Sequence, residues 1–218
     1  MKGDWARGTP FKKQKIVWKR VAEVIDHPVL FSNSSSMLRQ GNIGNCYLVA
    51  SLFGLSRIPG RIEDMFITKK VNKQGIYAMK FFINGKKALV YVDDFIPIRK
   101  GENKKDEPAF VKSFDKNEIW PILMEKAWAK LVGSYGNSEV GTISWTLRYL
   151  TNDPVYHSKI SDVASLTQTL ITWLDKGYPV FLFSHSKAWV KNHVFTLTKI
   201  EEIEGEVKFT LHNPWGYS

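Results

Sequence analysis

The sequence predicts an α+β chain in two parts. A mainly helical part over residues 1–153 carries a lone cysteine, and a β-rich part over residues 154–218 carries a histidine and an asparagine at the ends of a hairpin. Three observations predict it. Leu48, Leu52 and Leu55 recur at helical spacing directly after Cys46. Residues 192–200 and 207–212 alternate as strands on either side of Glu204-Gly205. The pattern changes at Asp153-Pro154, where turn formers interrupt it.

The elements follow in order. The first helix opens at Cys46 behind a loop containing Gly41 and Gly44, and Pro59-Gly60 closes its far end. A hairpin inserted in the helical, loop-rich first half uses residues 76–83 and 88–92 about Asn84-Gly85, a strong turn pair. Residues 101–107 read as a charged loop projecting into solvent. Asn117 then caps a helix running to about Leu131, with Ile119, Ile122, Leu123, Ala127 and Leu131 inward, Pro121 in its first turns and Gly133 ending it. Ser161 starts a further helix through Leu166, Leu170, Trp173 and Leu174 to Gly177, ahead of a strand at residues 180–183.

The chemistry concentrates at Cys46, the only cysteine. At a helix start its sulfur meets the positive end of the dipole and unpaired N–H groups, which favour the nucleophilic thiolate. Gln40, six residues earlier, is held near it by the glycine loop, so a side-chain amide and the Cys46 N–H can converge as an oxyanion hole. An isolated cysteine is more often a buried structural residue. The C-terminal hairpin supplies what that reading lacks. It brings His193 beside Asn213, an imidazole to take the thiol proton and an amide to fix its tautomer, while Trp215 covers the pair from water.

Gln-x5-Cys, a strand histidine and Asn-Pro-Trp, in that order, resemble the papain-like cysteine proteases. Val90 to Pro97, Glu118 to Leu131, Gly133-Ser134-Tyr135 and Leu211 to Gly216 narrow this to the calpain core, a resemblance running collinearly from about Leu38 to Gly216. It implies a papain-like fold with the active-site cleft between a helical and a β-rich lobe. It also implies an intracellular endopeptidase acting on proteins through Cys46, His193 and Asn213, with Gln40 in the oxyanion hole and Gly141 binding substrate backbone. A calpain second lobe continues for several strands past the Asn-Pro-Trp motif, so this lobe is expected to be incomplete. Regulatory domains or subunits are the expected partners.

Four departures accompany the resemblance. Tyr47 stands where calpains usually have Trp, Asn192 where they have Gly, and Val140 beside Gly141 where a second glycine is usual. At the first core calcium site the acidic position is Met37, leaving Glu118 as a residual ligand, a poor donor set for an ion that takes six to eight oxygens. No cofactor is required for the chemistry, and calcium is doubtful as a regulator.

Composition agrees without deciding. The 218 residues, 44% hydrophobic, suffice for a substantial core. The N-terminus lacks a signal-peptide stretch and no run approaches the roughly 18 apolar residues of a membrane span, so a reducing cytoplasm is expected. The net charge of +10 is scattered along the chain, against a nucleic-acid face. His27, His157, His185 and His212 share no metal-ligand spacing. The alternatives are another Cys-His enzyme, such as a transglutaminase or deubiquitinase, and a calpain-like scaffold that binds without cleaving.

Overall fold

The computed structural model describes residues 16–32, 37–101, 103–139, 141–157, 163–185, 187–188 and 190–216. Strand β1 (Val17–Arg20) and the short β2 (Leu38–Arg39) precede helix α1 (Cys46–Ser56). Then come the hairpin β3 (Ile76–Ile83) and β4 (Lys86–Asp93), and strands β5 (Phe95–Lys100), β6 (Asp106–Pro108) and β7 (Lys112–Ser113). Helices α2 (Trp120–Leu131), α3 (Ile143–Thr151) and α4 (Val163–Asp175) follow, and β8 (Val180–Phe183), β9 (Val194–Ile203) and β10 (Glu206–His212) complete the described chain. The chain is α+β, with every strand pairing antiparallel among the described residues.

Helix α1 is the centre. Every residue from Tyr47 to Leu55 is buried, so the helix is apolar all round rather than amphipathic, as a helix surrounded by protein must be. Leu48, Val49, Ala50 and Leu52 join one core with Met79 and Phe81 of β3, Ile96 and Ile98 of β5, and Leu123 and Trp128 of α2. Each such leucine, fully withdrawn from water, contributes about 1.5–3 kcal/mol. The β3–β4 turn has Asn84 at φ 52° and Gly85 at φ 74°, the left-handed pair that the Asn-Gly dipeptide predicts.

The sheet that carries the histidine lies directly on this helix. Its order is β10-β9-β8. A Cβ on Gly54 of α1 would stand 2.7 Å from the Phe181 ring, so only glycine there lets β8 approach. Thr196 Oγ1 of β9 donates to the Ala50 carbonyl of α1 at 3.2 Å, and Val194 belongs to the central core. Leu170, Val180 and Leu197 form a small separate cluster under α4.

Two expectations require correction. Residues 101–107 are not a free loop: β6 pairs with β5, Lys19 and Lys100 each hold Asp106 at 2.7 Å, and Glu107 bridges Arg99 and Lys112. Opposite charges fold the segment back onto the β1-β5-β6 sheet. Helix α2 begins at Trp120 rather than beside Asn117, because residues 117–119 are used elsewhere. The Asn117 carbonyl accepts from Val29 N, Ile119 N donates to Val29 O, and Asn117 N is tied to Asp115 Oδ1. Helix α3 was not expected, although Thr142 caps it by accepting from Trp145 N and Asn152 ends it at φ 60°. The expected helix start at Ser161 lies outside the described residues. Among the described residues no helix is long and apolar enough to cross a membrane.

Candidate active site

Cys46 is the first residue of α1, and its thiol lies against the backbone of the residue following His193. N–H groups of Val194, Tyr47 and Cys46 itself donate toward the sulfur and pull its pKa down, but burial outweighs them and pushes the thiol up. The helix-start argument is therefore right in direction and insufficient in size: the dipole acts on a sulfur that has lost much of its water.

His193 sits just ahead of β9 and Asn213 just past β10, and the hairpin register closes the 20-residue gap between them. His193 Nε2 and Asn213 Oδ1 are 2.8 Å apart. The same Oδ1 accepts from Trp215 N at 3.1 Å, which identifies that atom as the acceptor. His193 Nε2 must then carry the proton, leaving Nδ1 with its lone pair free for a proton. Trp215 lies over the imidazole with ring centroids 4.2 Å apart, and Phe195 meets it edge-on at 4.8 Å. Burial lowers the His193 pKa, and the Asn213 hydrogen bond offsets this in part. Asn192, in place of the expected glycine, has φ 49°, a left-handed conformation that asparagine tolerates better than most residues.

Gln40 is fixed from both sides. Its backbone N–H donates to Pro214 O at 2.7 Å, tying the nucleophile's loop to the Asn-Pro-Trp segment, and its Nε2 donates to Ile43 O. The amide keeps a second N–H to offer. Gly41 permits this path, because a Cβ there would stand 2.4 Å from Phe110 Cα.

The chain is matched over residues 6–218 by the model of the calpain family cysteine proteases. It belongs to that family. A calpain-type cysteine protease of rice, ADL1, is 30% identical over 230 residues, covering 97% of this chain and 10% of that protein. DEK1 of maize, also a calpain-type cysteine protease, is 31% identical over 94% of this chain and 10% of its own length, and rat Calpain-13 is 30% identical over 93% and 33%. The chain thus spans between about a tenth and a third of the length of these relatives.

Tyr47 has its own packing solution. Its hydroxyl donates to Ser138 O at 2.8 Å and accepts from Trp128 Nε1 at 3.1 Å. Gly141 lies so close that a Cβ would stand 2.4 Å from the Tyr47 ring, which gives this glycine a steric reason independent of substrate. Val140 lies outside the described residues.

At the family's calcium position the structure has a hydrogen-bonded carboxylate. Glu118 is buried with both oxygens engaged by donors: Ser32 N at 2.9 Å and Ser32 Oγ at 3.0 Å on Oε1, Ser113 Oγ at 2.7 Å on Oε2. Met37 is 43% exposed and brings a thioether, a soft ligand for a hard cation. No group of three metal-ligating acidic, His or Cys side chains occurs among the described residues.

His212 is buried and stacked on Phe53 of α1, ring centroids 3.6 Å apart, with neither ring nitrogen partnered. Burial, aided by the Arg57 charge, lowers its pKa to about 4. One group was not anticipated: Glu125 of α2, whose carboxyl receives Asn45 Nδ2 at 2.7 Å and Val111 N at 3.1 Å. Its only sequence signal is an acid directly after the apolar run Ile122-Leu123-Met124.

Proposed function

We propose that this chain is the catalytic core of a calpain-type cysteine endopeptidase with a papain-like fold, its cleft lying between a lobe of residues 1–153 and a lobe of residues 154–218. The observation that carries the reading is the 2.8 Å His193–Asn213 hydrogen bond, formed beside a thiol that receives the Val194 N–H. Cys46 is the nucleophile, His193 its base, Asn213 the residue that orients the base, and Trp215 the shield over their bond. Gly141 lines the path of the substrate backbone.

In this mechanism His193 Nδ1 takes the Cys46 proton as the sulfur bonds to the scissile carbonyl carbon. The resulting oxyanion is met by the Cys46 N–H and the second N–H of Gln40. The C–N bond breaks as the imidazolium returns its proton to the leaving amine. Water, deprotonated by His193, then releases the acyl group from sulfur. Burial raises the thiol and lowers the imidazole, so both shifts act against the charged form of the pair.

Protein substrates in the cytoplasm fit this reading. Catalysis needs no calcium at the Glu118 position, because hydrogen-bond donors occupy both carboxylate oxygens there. The test is cleavage of an unfolded protein substrate by the wild type and by Cys46→Ala: hydrolysis confined to the wild type supports it, and hydrolysis by the variant overturns it.

A further inference from the structure

Asn45 is the last residue before the nucleophile helix, and its carbonyl accepts from Leu48 N at 2.9 Å and Val49 N at 3.2 Å, so it starts α1. Its side chain makes no cap. Instead it turns away from the helix and into the interior to meet Glu125. The other carboxyl oxygen of Glu125 takes Val111 N, and the neighbouring residues Ala109 and Phe110 are those against which Gly41 is packed without room for a Cβ. One buried carboxyl therefore joins the start of the nucleophile helix to the wall behind the Gln40-Gly41 turn.

We propose that Glu125 is a positioning residue of the active site, a clamp that sets where the Cys46 N–H and the Gln40 loop stand relative to each other. A clamp needing only shape would not use this group. Glu125 is 1% exposed, and among the described residues it has no cation beside it. The titratable groups that sense its charge are Tyr47 and Tyr135, both held neutral by burial. Desolvation raises the Glu125 pKa to about 7, against the hydrogen bonds from Asn45 and Val111, so the carboxyl changes state in the neutral range.

The orphan atoms around it show how the clamp survives that change. Asn45 Oδ1 is buried without a partner. When Glu125 binds a proton, the Asn45 amide can turn so that the acid O–H donates to Oδ1, while Val111 N keeps the remaining oxygen. The contact persists with donor and acceptor exchanged, and a glutamine at position 125 reproduces the protonated arrangement at every pH.

The catalytic consequence rests on the protease reading, whereas the clamp can be measured without turnover. Hydrogen exchange followed by mass spectrometry is compared for wild type, Glu125→Ala and Glu125→Gln from pH 5.5 to 8.5, after correction for intrinsic exchange. Glu125→Ala should lose about tenfold protection in residues 40–49 while β9 and β10 are unchanged. Glu125→Gln should keep that protection, as the wild type should, at every pH in this range. In active enzyme, kcat per titrated Cys46 should fall about tenfold in Glu125→Ala with KM unaltered. Unchanged protection at residues 40–49, or loss spread equally over β9 and β10, overturns the proposal. Should Glu125→Ala not fold, Asn45→Ala, which removes the same hydrogen bond from its other end, decides: unchanged protection at residues 40–49 in that variant is the contradicting result.

Discussion

Asn213 Oδ1 accepts from two donors at once, His193 Nε2 at 2.8 Å and Trp215 N at 3.1 Å, and this shared acceptor is what assigns the imidazole proton. The backbone N–H cannot rotate away, so the asparagine oxygen is pinned and the histidine tautomer follows from it.

Asn213→Ala removes the pin. The imidazole then loses its orientation, and kcat should fall by about a hundredfold, the scale of a misplaced reacting group. Reaction of Cys46 with a small alkylating reagent should persist, since it needs no oriented acid. Stopped-assay kinetics beside iodoacetamide labelling separate the two effects.

The pH profile carries a sign. His193 is held below the ordinary histidine value of about 6.5 by burial, so the neutral base survives into more acidic solution. The acid limb of kcat/KM should lie below that value, and in Asn213→Ala it should move lower still, because the asparagine is the contact that raises the histidine. An acid limb above the ordinary value contradicts this.

His212 predicts a loss of stability in acid. Its folded pKa of about 4 lies below its unfolded value, so stability is full above about pH 6.5 and falls as the pH drops toward 4, by up to roughly 3 kcal/mol. His212→Phe keeps a ring on Phe53 and removes the titration. Urea unfolding at pH 7 and pH 4.5 should show a smaller difference between the two pH values for the variant than for wild type.

Much of the active site is legible in the sequence because local signals place each part. Glycines make the loop before Cys46, and a two-residue turn starts the β9–β10 pairing that, with a register shift between Thr210 and Leu211, brings His193 to Asn213. The strands β1, β5 and β6 gave no comparable sign: β1 reaches β5 across dozens of residues, and β6 is held partly through charges on Asp106 and Glu107, which in isolation read as a solvated loop. Asn117 looked like a cap because the sequence does not show that Val29 would claim its carbonyl. Glu125 was hidden for the same reason, since a lone acid in a helix does not reveal that two N–H groups from distant loops converge on it. The preference for thiolate failed in size, because burial of Cys46 is a tertiary property.

Glu118→Gln tests the hydrogen-bonded substitute for a metal. With the amide oxygen toward Ser32 and the NH2 toward Ser113, the Ser113 hydroxyl can turn from donor to acceptor, so charge-assisted contacts become neutral ones at a cost of about 1 kcal/mol in unfolding free energy. Millimolar calcium should leave the melting temperature of wild type and variant unchanged. A calcium-dependent rise in the wild type that Glu118→Gln abolishes would restore a metal site.

The most direct measurement is labelling of Cys46 by a peptidyl epoxide, read by mass spectrometry of the intact chain with calcium and with chelator, beside Asn213→Ala. Rapid single labelling of the wild type under both conditions, slowed in the variant, is what a preassembled Cys46–His193–Asn213 site requires. Absence of labelling under both conditions, with the thiol still open to iodoacetamide, would contradict it and leave a folded calpain core that does not act as a protease.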